Sequence, residues 1–201
     1  MNRKILSCLV LAAALVTNLV SCTEGTLAGV QGKPAGIIAD RGFRPLSGRL
    51  DGSAPADGRA RSVWAIENAV LTGIEDTFSR CASFQYVPFR QLRFQPGFSG
   101  EMRYPGEYKQ FARGNGLELA LGTTVTVTPG AGLVHFGLLV RDSDGKNVGF
   151  ALAKAKGNFP PALGDIWGTA YLGEQFLPVW RQTGAEAARQ ALVKLQATMR
   201  P

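Results

Sequence analysis

The sequence predicts an α+β fold, a single domain in which an antiparallel sheet of three to five strands packs against helices. Two patterns predict it. Apolar residues recur at three- and four-residue spacing over residues 63–78 and again over 188–199, as in amphipathic helices. Between them, β-branched residues fill positions 123–128 and two short turns follow. Of the 201 residues, 45% are hydrophobic and 18% charged, which is enough apolar surface for one domain.

The chain begins with the pattern of a secretory signal. Arg3 and Lys4 precede an apolar run over residues 5–16, and small residues end the segment near Ser21. The apolar run is shorter than the ~20 residues that a transmembrane helix needs. We therefore predict that residues 1–21 are removed as a signal peptide.

Leu19-Val20-Ser21-Cys22 closes that segment and closely resembles the bacterial lipobox. The resemblance implies that Cys22 is the lipid-attachment site, where several acyl chains (palmitate among them) make the anchor effectively permanent. In lipoproteins of this kind, Thr23 at the next position favours the outer membrane, with the domain in the periplasm. The alternative is a secreted protein that is cut nearby and keeps Cys22 as a free thiol.

Residues 22–61 are predicted to be the lipid anchor and a flexible tether. Gly, Pro, Ala, Ser, Asp and Arg dominate there, and about 40 such residues have a root-mean-square reach of roughly 35 Å. One apolar island, at residues 36–43, interrupts the tether. Ile37 and Ile38 within it indicate either a short edge strand of the domain or more linker.

The α+β domain itself is predicted over residues 62–201, and its first half alternates helix and strand. An amphipathic helix is indicated over residues 62–80 and a strand over 82–89. After a loop, Pro105 begins a short helix that stops at Gly114-Asn115-Gly116.

An antiparallel meander of three strands follows. The strands are predicted over residues 117–128, 133–141 and 148–155, joined by turns that contain Gly130 and Gly145. Each of the last two strands has one bulky face, and we expect helices to cover the bulky side of the sheet. The bulky residues are Val134, Phe136, Leu138 and Val140, then Val148, Phe150 and Leu152.

The C-terminal segment is predicted to be helical in two parts. A first helix begins near Trp167 and is kinked or ended by Pro178. Thr183-Gly184-Ala185-Glu186 has the pattern of a capping box, which predicts the start of a last helix.

Two stretches carry a resemblance to a known family. They are Val87-Pro88-Phe89-Arg90-Gln91-Leu92 and the run over residues 111–125, which reads Phe-Ala-Arg-Gly-Asn-Gly-Leu-Glu-Leu-Ala-Leu-Gly-Thr-Thr-Val. Over residues 62–200 the chain resembles the periplasmic domain shared by the curli-secretion lipoprotein, the activator lipoproteins of penicillin-binding proteins and the amino-terminal domain of TolB. The opening strand of that group corresponds at most to Ile37-Ile38. The meander lacks the long hairpins with which the curli-secretion protein forms a pore, so we expect no channel activity.

The chain offers few residues for catalysis or metal binding. His135, the single histidine, lies mid-strand among apolar residues, which favours a hydrogen-bonded or half-buried strand histidine over a catalytic base. Asp142-Ser143-Asp144-Gly145 resembles a calcium loop, but its glycine comes two positions early and the bidentate acid is missing, which favours a hairpin turn. No nucleophile elbow, Walker loop or zinc-type His/Cys spacing occurs, so we expect no catalytic, cofactor or metal residues.

Cys81 is the one thiol expected in the mature chain, because Cys8 leaves with the signal and Cys22 carries lipid. A disulfide within the domain is therefore excluded. We expect Cys81 to be buried like a small apolar residue, and the alternative is an intermolecular cross-link in the oxidising periplasm.

Arginines and aromatic residues alternate around a glycine-rich loop in a chain of net charge +7. The arginines are Arg90, Arg93, Arg103 and Arg113, and the aromatic residues are Phe89, Phe94, Phe98, Tyr104, Tyr108 and Phe111. In a cytoplasmic protein this pattern would favour nucleic acid, but the lipid anchor excludes that partner. Anionic lipid, lipopolysaccharide phosphate or an acidic protein are the expected ligands, and the alternative is a solvated basic surface with its aromatic residues in the core.

These observations favour a non-enzymatic, lipid-anchored envelope protein that helps to assemble or regulate a complex. The expected partners are the membrane, through acylated Cys22, an envelope protein or further copies of the chain, and anionic lipid. Two alternatives stay open. One is an enzyme that acts on envelope glycan with two of Glu101, Glu107 and Glu118 as acid and base. The other is a carrier with an apolar cavity between the sheet and the C-terminal helices.

Overall fold

The structure, a computed structural model, describes residues 29–38, 58–96, 104–160 and 171–198. The described residues form strands β1–β5 and helices α1–α3. The strands are Pro34–Ile38, Gln85–Tyr86, Leu119–Thr128, Leu133–Asp142 and Asn147–Lys156, and the helices are Gly58–Ser79, Pro105–Asn115 and Leu177–Thr198. Within these ranges, no helix combines the length and the apolar character that crossing a bilayer requires. The predicted signal segment and Cys22 lie outside the described residues.

The five strands form one mixed sheet in the order β2-β1-β3-β4-β5. β3, β4 and β5 make the predicted antiparallel meander, in which His135 of β4 pairs with Thr126 on one side and Lys154 on the other. β1 pairs in parallel with both β2 and β3. The predicted α+β class is confirmed, and the sheet is mostly but not wholly antiparallel.

β1 shows that the apolar island is a strand, although not the edge strand that the sequence suggests. It lies between β2 and β3, and Ile37 and Ile38 are fully buried. α1 carries the chain from β1 back to β2, the kind of connection that parallel strands require. Residues 34–38 are therefore part of the sheet although they fall within the segment 22–61, and residues 39–57 lie outside the described part.

Helices α1 and α3 cover one face of the sheet, here called the inner face. α1 contributes a stripe of apolar side chains at the spacing that the sequence predicts, and β4 contributes its bulky face. These residues are Ile66, Val70, Ile74 and Phe78, with Val134, Phe136, Leu138 and Val140. Trp180 of α3 is the largest of the fully buried side chains. Burial of each large apolar side chain stabilises the fold by roughly 1.5–3 kcal/mol, so this layer is the main core.

β5 contradicts the expectation that helices cover the bulky residues of every strand. Phe136 of β4 pairs with Ala153 of β5, which places the alanines of β5 on the inner face. α3 packs against β5 there, and the small side chains let the helix come close to the strand. Phe150 and Leu152 consequently lie on the other face, the outer face, where they are 49% and 59% exposed.

α2 covers one half of the outer face. Tyr108 and Phe111 of this helix are buried against Ile38 and Ala120 of the sheet. As predicted, the helix begins at Pro105, and it ends at Gly116, whose φ of 64° is the left-handed conformation that glycine adopts without strain.

α3 is a single helix where the sequence predicts two parts. Pro178 lies in its first turn, where a missing backbone N–H costs nothing. Thr183, predicted as a helix cap, lies inside the helix and donates its hydroxyl to the Val179 carbonyl at 2.7 Å. Gly184 contacts the backbone of Val70, so close packing of α3 on α1 outweighs the poor helix propensity of glycine. Trp167 lies outside the described residues.

Candidate functional site

The candidate site is the half of the outer face that no described element covers, here called the open face. Two rows of residues cross β3, β4 and β5 there. The rows are Thr124–Gly137–Leu152 and Thr126–His135–Lys154. Except for the glycine, all of these side chains are exposed.

Gly137 forms the floor of a shallow groove in the open face. A Cβ atom at this position would lie 2.5 Å from Oγ1 of Thr124 and 3.3 Å from Cδ2 of Leu152, so both side chains lean over the glycine. The groove has a volume of about 300 Å³. Its lining residues are Thr124, Thr126, His135, Phe136, Gly137, Leu152, Ala153, Lys154 and Lys194. Hydroxyl, imidazole and ammonium groups around apolar carbon atoms suit a ligand that is partly apolar and partly anionic.

β5 is the last described strand on this side of the sheet, and its hydrogen bonds show which residues face the free edge. The N–H of Gly157 donates to the carbonyl of Gly132 on the β4 side, at 2.9 Å. The carbonyl of Leu152 instead accepts from Nζ of Lys194 in α3, at 2.8 Å. The N–H and C=O groups of successive residues in a strand point alternately to its two sides. Since Gly157 points to β4 and Leu152 points away from it, the backbone groups of Phe150, Leu152 and Lys154 face the free edge.

Three lysines follow that edge, Lys154 and Lys156 on β5 and Lys194 on α3. Ion pairs within the described ranges involve Lys109, Arg113, Arg181 and Arg189, and none involves these three lysines. The edge therefore carries positive charge that no described carboxylate neutralises.

Apolar side chains are exposed beside these lysines. Phe150 and Leu152 belong to β5, and Val193, which is 62% exposed, precedes Lys194 in α3. Across the described part of the chain, the other large apolar side chains with comparable exposure are Phe94 and Tyr104. We call the six residues Phe150, Leu152, Lys154, Lys156, Val193 and Lys194 the β5 strip. The strip is both apolar and cationic.

His135 lies in a strand, as predicted, but it is exposed on the open face beside Thr126 and Lys154 rather than half-buried. The segment that resembles a calcium loop is the predicted hairpin turn. Oδ1 of Asp142 accepts the backbone N–H groups of Asp144 and Lys146 at 3.0 and 2.9 Å. These backbone hydrogen bonds give the Asp142 side chain a structural role.

Cys81 is buried in the main core, as predicted, with 7% of its surface exposed. The environment of this thiol is apolar, formed by the core cluster that includes Phe78 and Phe84.

The residues of the arginine and aromatic pattern do not form one surface. Phe89, Tyr108 and Phe111 are buried, which fits the alternative in which the aromatic residues belong to the core. Arg113 pairs with Asp144 at 3.4 Å. Arg90 and Arg93 are exposed, and Arg103 and Phe98 lie outside the described residues.

The glutamates considered for glycan hydrolysis have separate places. Oε2 of Glu107 accepts the backbone N–H of Tyr104 at 2.7 Å and caps the start of α2. Glu118 lies beyond the other end of this helix. Measured along the helix axis, the Cα atoms of the two residues are about 12 Å or more apart. Paired carboxyl groups in glycosidases lie roughly 5–9.5 Å apart. The Glu107 carboxylate is instead bound to the Tyr104 N–H, at the end of the helix away from Glu118, which disfavours that chemistry for this pair. Glu101 lies outside the described residues.

One buried polar pair lies away from the open face. The hydroxyl of Tyr86 donates to Oε1 of Glu75 at 2.7 Å, and the N–H of Phe89 donates to the same oxygen at 3.2 Å. Burial raises the pKa of Tyr86 above its ordinary value, and the negative charge of Glu75 raises it further. The pair fastens β2 and the turn after it to α1.

The β5 strip is not among the sites predicted from the sequence above. A signal for it is present, because Ala151, Ala153 and Ala155 alternate with Phe150, Leu152, Lys154 and Lys156. In β5 the alanine side packs closely against α3, which leaves the large side chains on the outer face.

Comparison with known proteins finds a partial likeness among solved structures. No protein family model matches the chain, and no curated protein matches it in sequence. Among solved structures, the C-terminal domain of LpoB from Salmonella enterica is similar with a TM-score of 0.35 and 11% identity, over 65% of this chain and 87% of that chain. A likeness at this level carries no inference about function, and the lipobox and family resemblances stay predictions.

Proposed function

We propose that the chain is a lipid-anchored protein of the bacterial cell envelope that binds a partner protein in the periplasm through the open face and the β5 strip. The binding helps to assemble or regulate a complex and involves no catalysis by this chain. The observation that carries the binding role is the exposure of Phe150 and Leu152 on a strand at the edge of the sheet. The lipobox ending at Cys22 supports the location.

An exposed apolar edge strand is a liability unless something covers it, because it offers both apolar surface and backbone hydrogen-bonding groups to other chains. Covering the side chains of Phe150 and Leu152 would contribute roughly 1.5–3 kcal/mol for each side chain that becomes fully buried. A partner that covers the strip therefore gains affinity and also protects the edge.

Contacts elsewhere support binding over the two alternative functions. Glu107 caps a helix, which is a structural role for one of the candidate catalytic acids. The layer between the sheet and α3 contains Trp180 and Leu192, both fully buried, so protein side chains occupy the place where a carrier would hold an apolar ligand.

The anchor is tested with Cys22→Ser in the full chain, expressed in its native cell. We expect mass spectrometry to find an acylated Cys22 at the N-terminus of the wild-type protein, and we expect the variant to lose the acyl groups and the membrane association. Matched controls are Cys8→Ser, in the predicted signal, and Cys81→Ser, in the core, and both keep the anchor. A free thiol on wild-type Cys22 would contradict the proposal.

Binding is tested by chemical cross-linking of the acylated protein in its native membrane. We expect a discrete product that contains another envelope protein and that is lost in Leu152→Asp. Tyr104→Asp is the control, because this side chain is 74% exposed but lies outside the strip. A product that contains only copies of this chain would replace the partner with self-association. Hydrolysis of peptidoglycan by the purified protein, abolished by changing one carboxylate, would contradict the non-enzymatic role.

A further inference from the structure

The geometry points to one class of partner: we propose that an extended, acidic segment of the partner protein pairs with β5 and adds a strand to the sheet. This inference rests on the proposed function and deepens it, because it states what chemistry the β5 strip recognises.

The backbone of β5 is suited to pair with an added strand. Phe150, Leu152 and Lys154 direct their N–H and C=O groups to an edge that no described strand occupies. β5 spans ten residues, which is long for an edge strand. An added strand satisfies such groups with main-chain hydrogen bonds, whereas a helix laid on the edge would not.

The positive charge of β5 favours an added strand that is acidic. Lys154 and Lys156 are two residues apart, so their side chains lie on the same face of β5. An added strand with acidic residues at alternate positions would place a carboxylate beside each of them, and opposite charges across a strand pair are stabilising. Phe150 and Leu152 on the same face would contact apolar residues of the added strand.

Lys194 occupies a backbone group of the β5 edge that an added strand would need. Its Nζ binds the Leu152 carbonyl, which is one of the groups that an added strand would use. The incoming strand replaces this hydrogen bond with its own N–H and leaves the ammonium free to bind a carboxylate. Lys194 therefore closes the edge when no partner is bound and attracts an acidic partner when one approaches.

The same observations disfavour a lipid surface and a second copy of the chain. Strand-edge N–H and C=O groups lose their hydrogen bonds when they enter the acyl region of a bilayer. A second copy of β5 contains no acidic residue, so it would offer Lys154 and Lys156 no opposite charge and would add its own lysines to the same seam. An acidic segment from another protein avoids both costs.

The first measurement is photo-cross-linking in the native cell, with Leu152 replaced by benzoylphenylalanine in the full, acylated chain. We expect an adduct with a segment of another envelope protein that carries at least two acidic residues at alternate positions. The matched control replaces Arg80, an exposed residue after α1, and we expect no such adduct. An adduct with lipid, with a copy of this chain or with a segment lacking acidic residues would overturn the inference, and so would the absence of any adduct.

The second measurement uses the captured segment as a synthetic peptide with the purified protein. We expect binding to slow amide hydrogen exchange at Leu152 and Lys154, and N-methylation of alternate peptide amides to weaken affinity about tenfold or more. Lys154→Glu/Lys156→Glu should weaken affinity by about tenfold or more. Arg80→Glu/Arg90→Glu, which makes the same charge change at exposed positions outside the strip, should change affinity less than about twofold.

These outcomes separate the inference from the proposed function. Capture of an envelope protein through a helical or neutral segment would leave the proposed function standing and overturn strand addition. An equal effect of the two charge-reversal variants would also overturn it, because the lysines would then act only through the net charge of the protein. Failure of Cys22 acylation would instead contradict the proposed function.

Discussion

Gly73 of α1 lies directly against the carbonyl oxygen of Arg181 in α3, and no side chain fits between the two helices at this point. Gly184 of α3 meets the backbone of Val70 in the same way. The hydroxyl of Thr77, which donates to the Gly73 carbonyl of its own helix at 2.9 Å, also lies 3.3 Å from the Ala185 carbonyl of α3. These contacts bring the backbones of α1 and α3 together and so fix the helical layer over the inner face.

Gly73→Ala should lower the free energy of unfolding by about 2 kcal/mol, because its Cβ atom would overlap the Arg181 carbonyl and force the helices apart. Urea unfolding of the purified protein measures the change. Gly106→Ala is the matched control, since it lies in α2 with open space around it, and it should be neutral or stabilising by up to about 1 kcal/mol. Equal losses in the two variants would refute the close contact.

Tyr86→Phe should lower the free energy of unfolding at neutral pH by roughly 1.5–3 kcal/mol, because the hydroxyl donates to a carboxylate of Glu75. Tyr104→Phe is the control, because its side chain is 74% exposed, and it should change stability by less than about 0.5 kcal/mol. Urea unfolding of both variants at pH 7 tests the difference.

The same tyrosine predicts a dependence on alkaline pH. Burial, then the charge of Glu75, raises the pKa of folded Tyr86, whereas the unfolded side chain ionises near pH 10. The stabilisation is therefore complete below about pH 10, and the free energy of unfolding falls above it by up to about 1.4 kcal/mol per pH unit from this group. Unfolding at pH 9–11 should show a shallower decline in Tyr86→Phe than in the wild type. Parallel declines would show that Tyr86 ionises normally in the folded protein.

Thr123→Val should raise the free energy of unfolding by about 1 kcal/mol. The Thr123 hydroxyl is buried and meets no hydrogen-bond partner among the described residues, so a methyl group in its place removes the cost of burying a polar atom. Thr77→Val is the opposite case, because the Thr77 hydroxyl donates to the Gly73 carbonyl at 2.9 Å. This variant should lower the free energy of unfolding by about 1 kcal/mol. Thermal unfolding of the two variants should therefore shift in opposite directions.

Asn115→Ala should release the segment that follows the turn at Phe89. Oδ1 of Asn115 accepts the N–H groups of Arg93 and Phe94 at 2.8 and 3.0 Å, and Nδ2 donates to the carbonyls of Phe94 and Phe111. We expect the free energy of unfolding to fall by about 1–3 kcal/mol and amide hydrogen exchange to become faster at Arg93 and Phe94. Asn115→Asp keeps the two acceptor bonds but sets a carboxylate oxygen against the Phe94 and Phe111 carbonyls, so it should lower the free energy of unfolding as well. Unchanged stability in either variant would contradict the role of Asn115.

The sequence was most informative where local pattern and tertiary structure agree. Pro105 and Gly116 delimit α2 because each suits the backbone conformation at its helix end. The meander follows from β-branched residues and short turns, since its strands pair with sequence neighbours. β1 is different, because Ala35 pairs with Leu119, far along the chain, and no local pattern states such a pairing.

The candidate site depends on a packing relation between β5 and α3 that no local sequence pattern states. Alternation shows that β5 has two unlike faces, but choosing the buried one requires knowing how close α3 approaches. The pairing of Ala153 with Phe136 shows that the alanine face of β5 is the buried one, and this pairing is known only from the structure. The same limit applies to Thr183 and Gly184, which have the pattern of a helix start and instead lie where α3 touches α1.

The position of β1 limits how far the domain can stand from a membrane. Because residues 29–38 already belong to the folded domain, with Val30 buried, only the residues from Cys22 to Gly29 lie between the proposed anchor and the fold. Seven residue steps span at most about 25 Å even when fully extended, less than the roughly 35 Å root-mean-square reach of a forty-residue tether. A partner of the acylated protein must therefore reach a domain whose point of attachment, at Gly29, lies within about 25 Å of the lipidated residue.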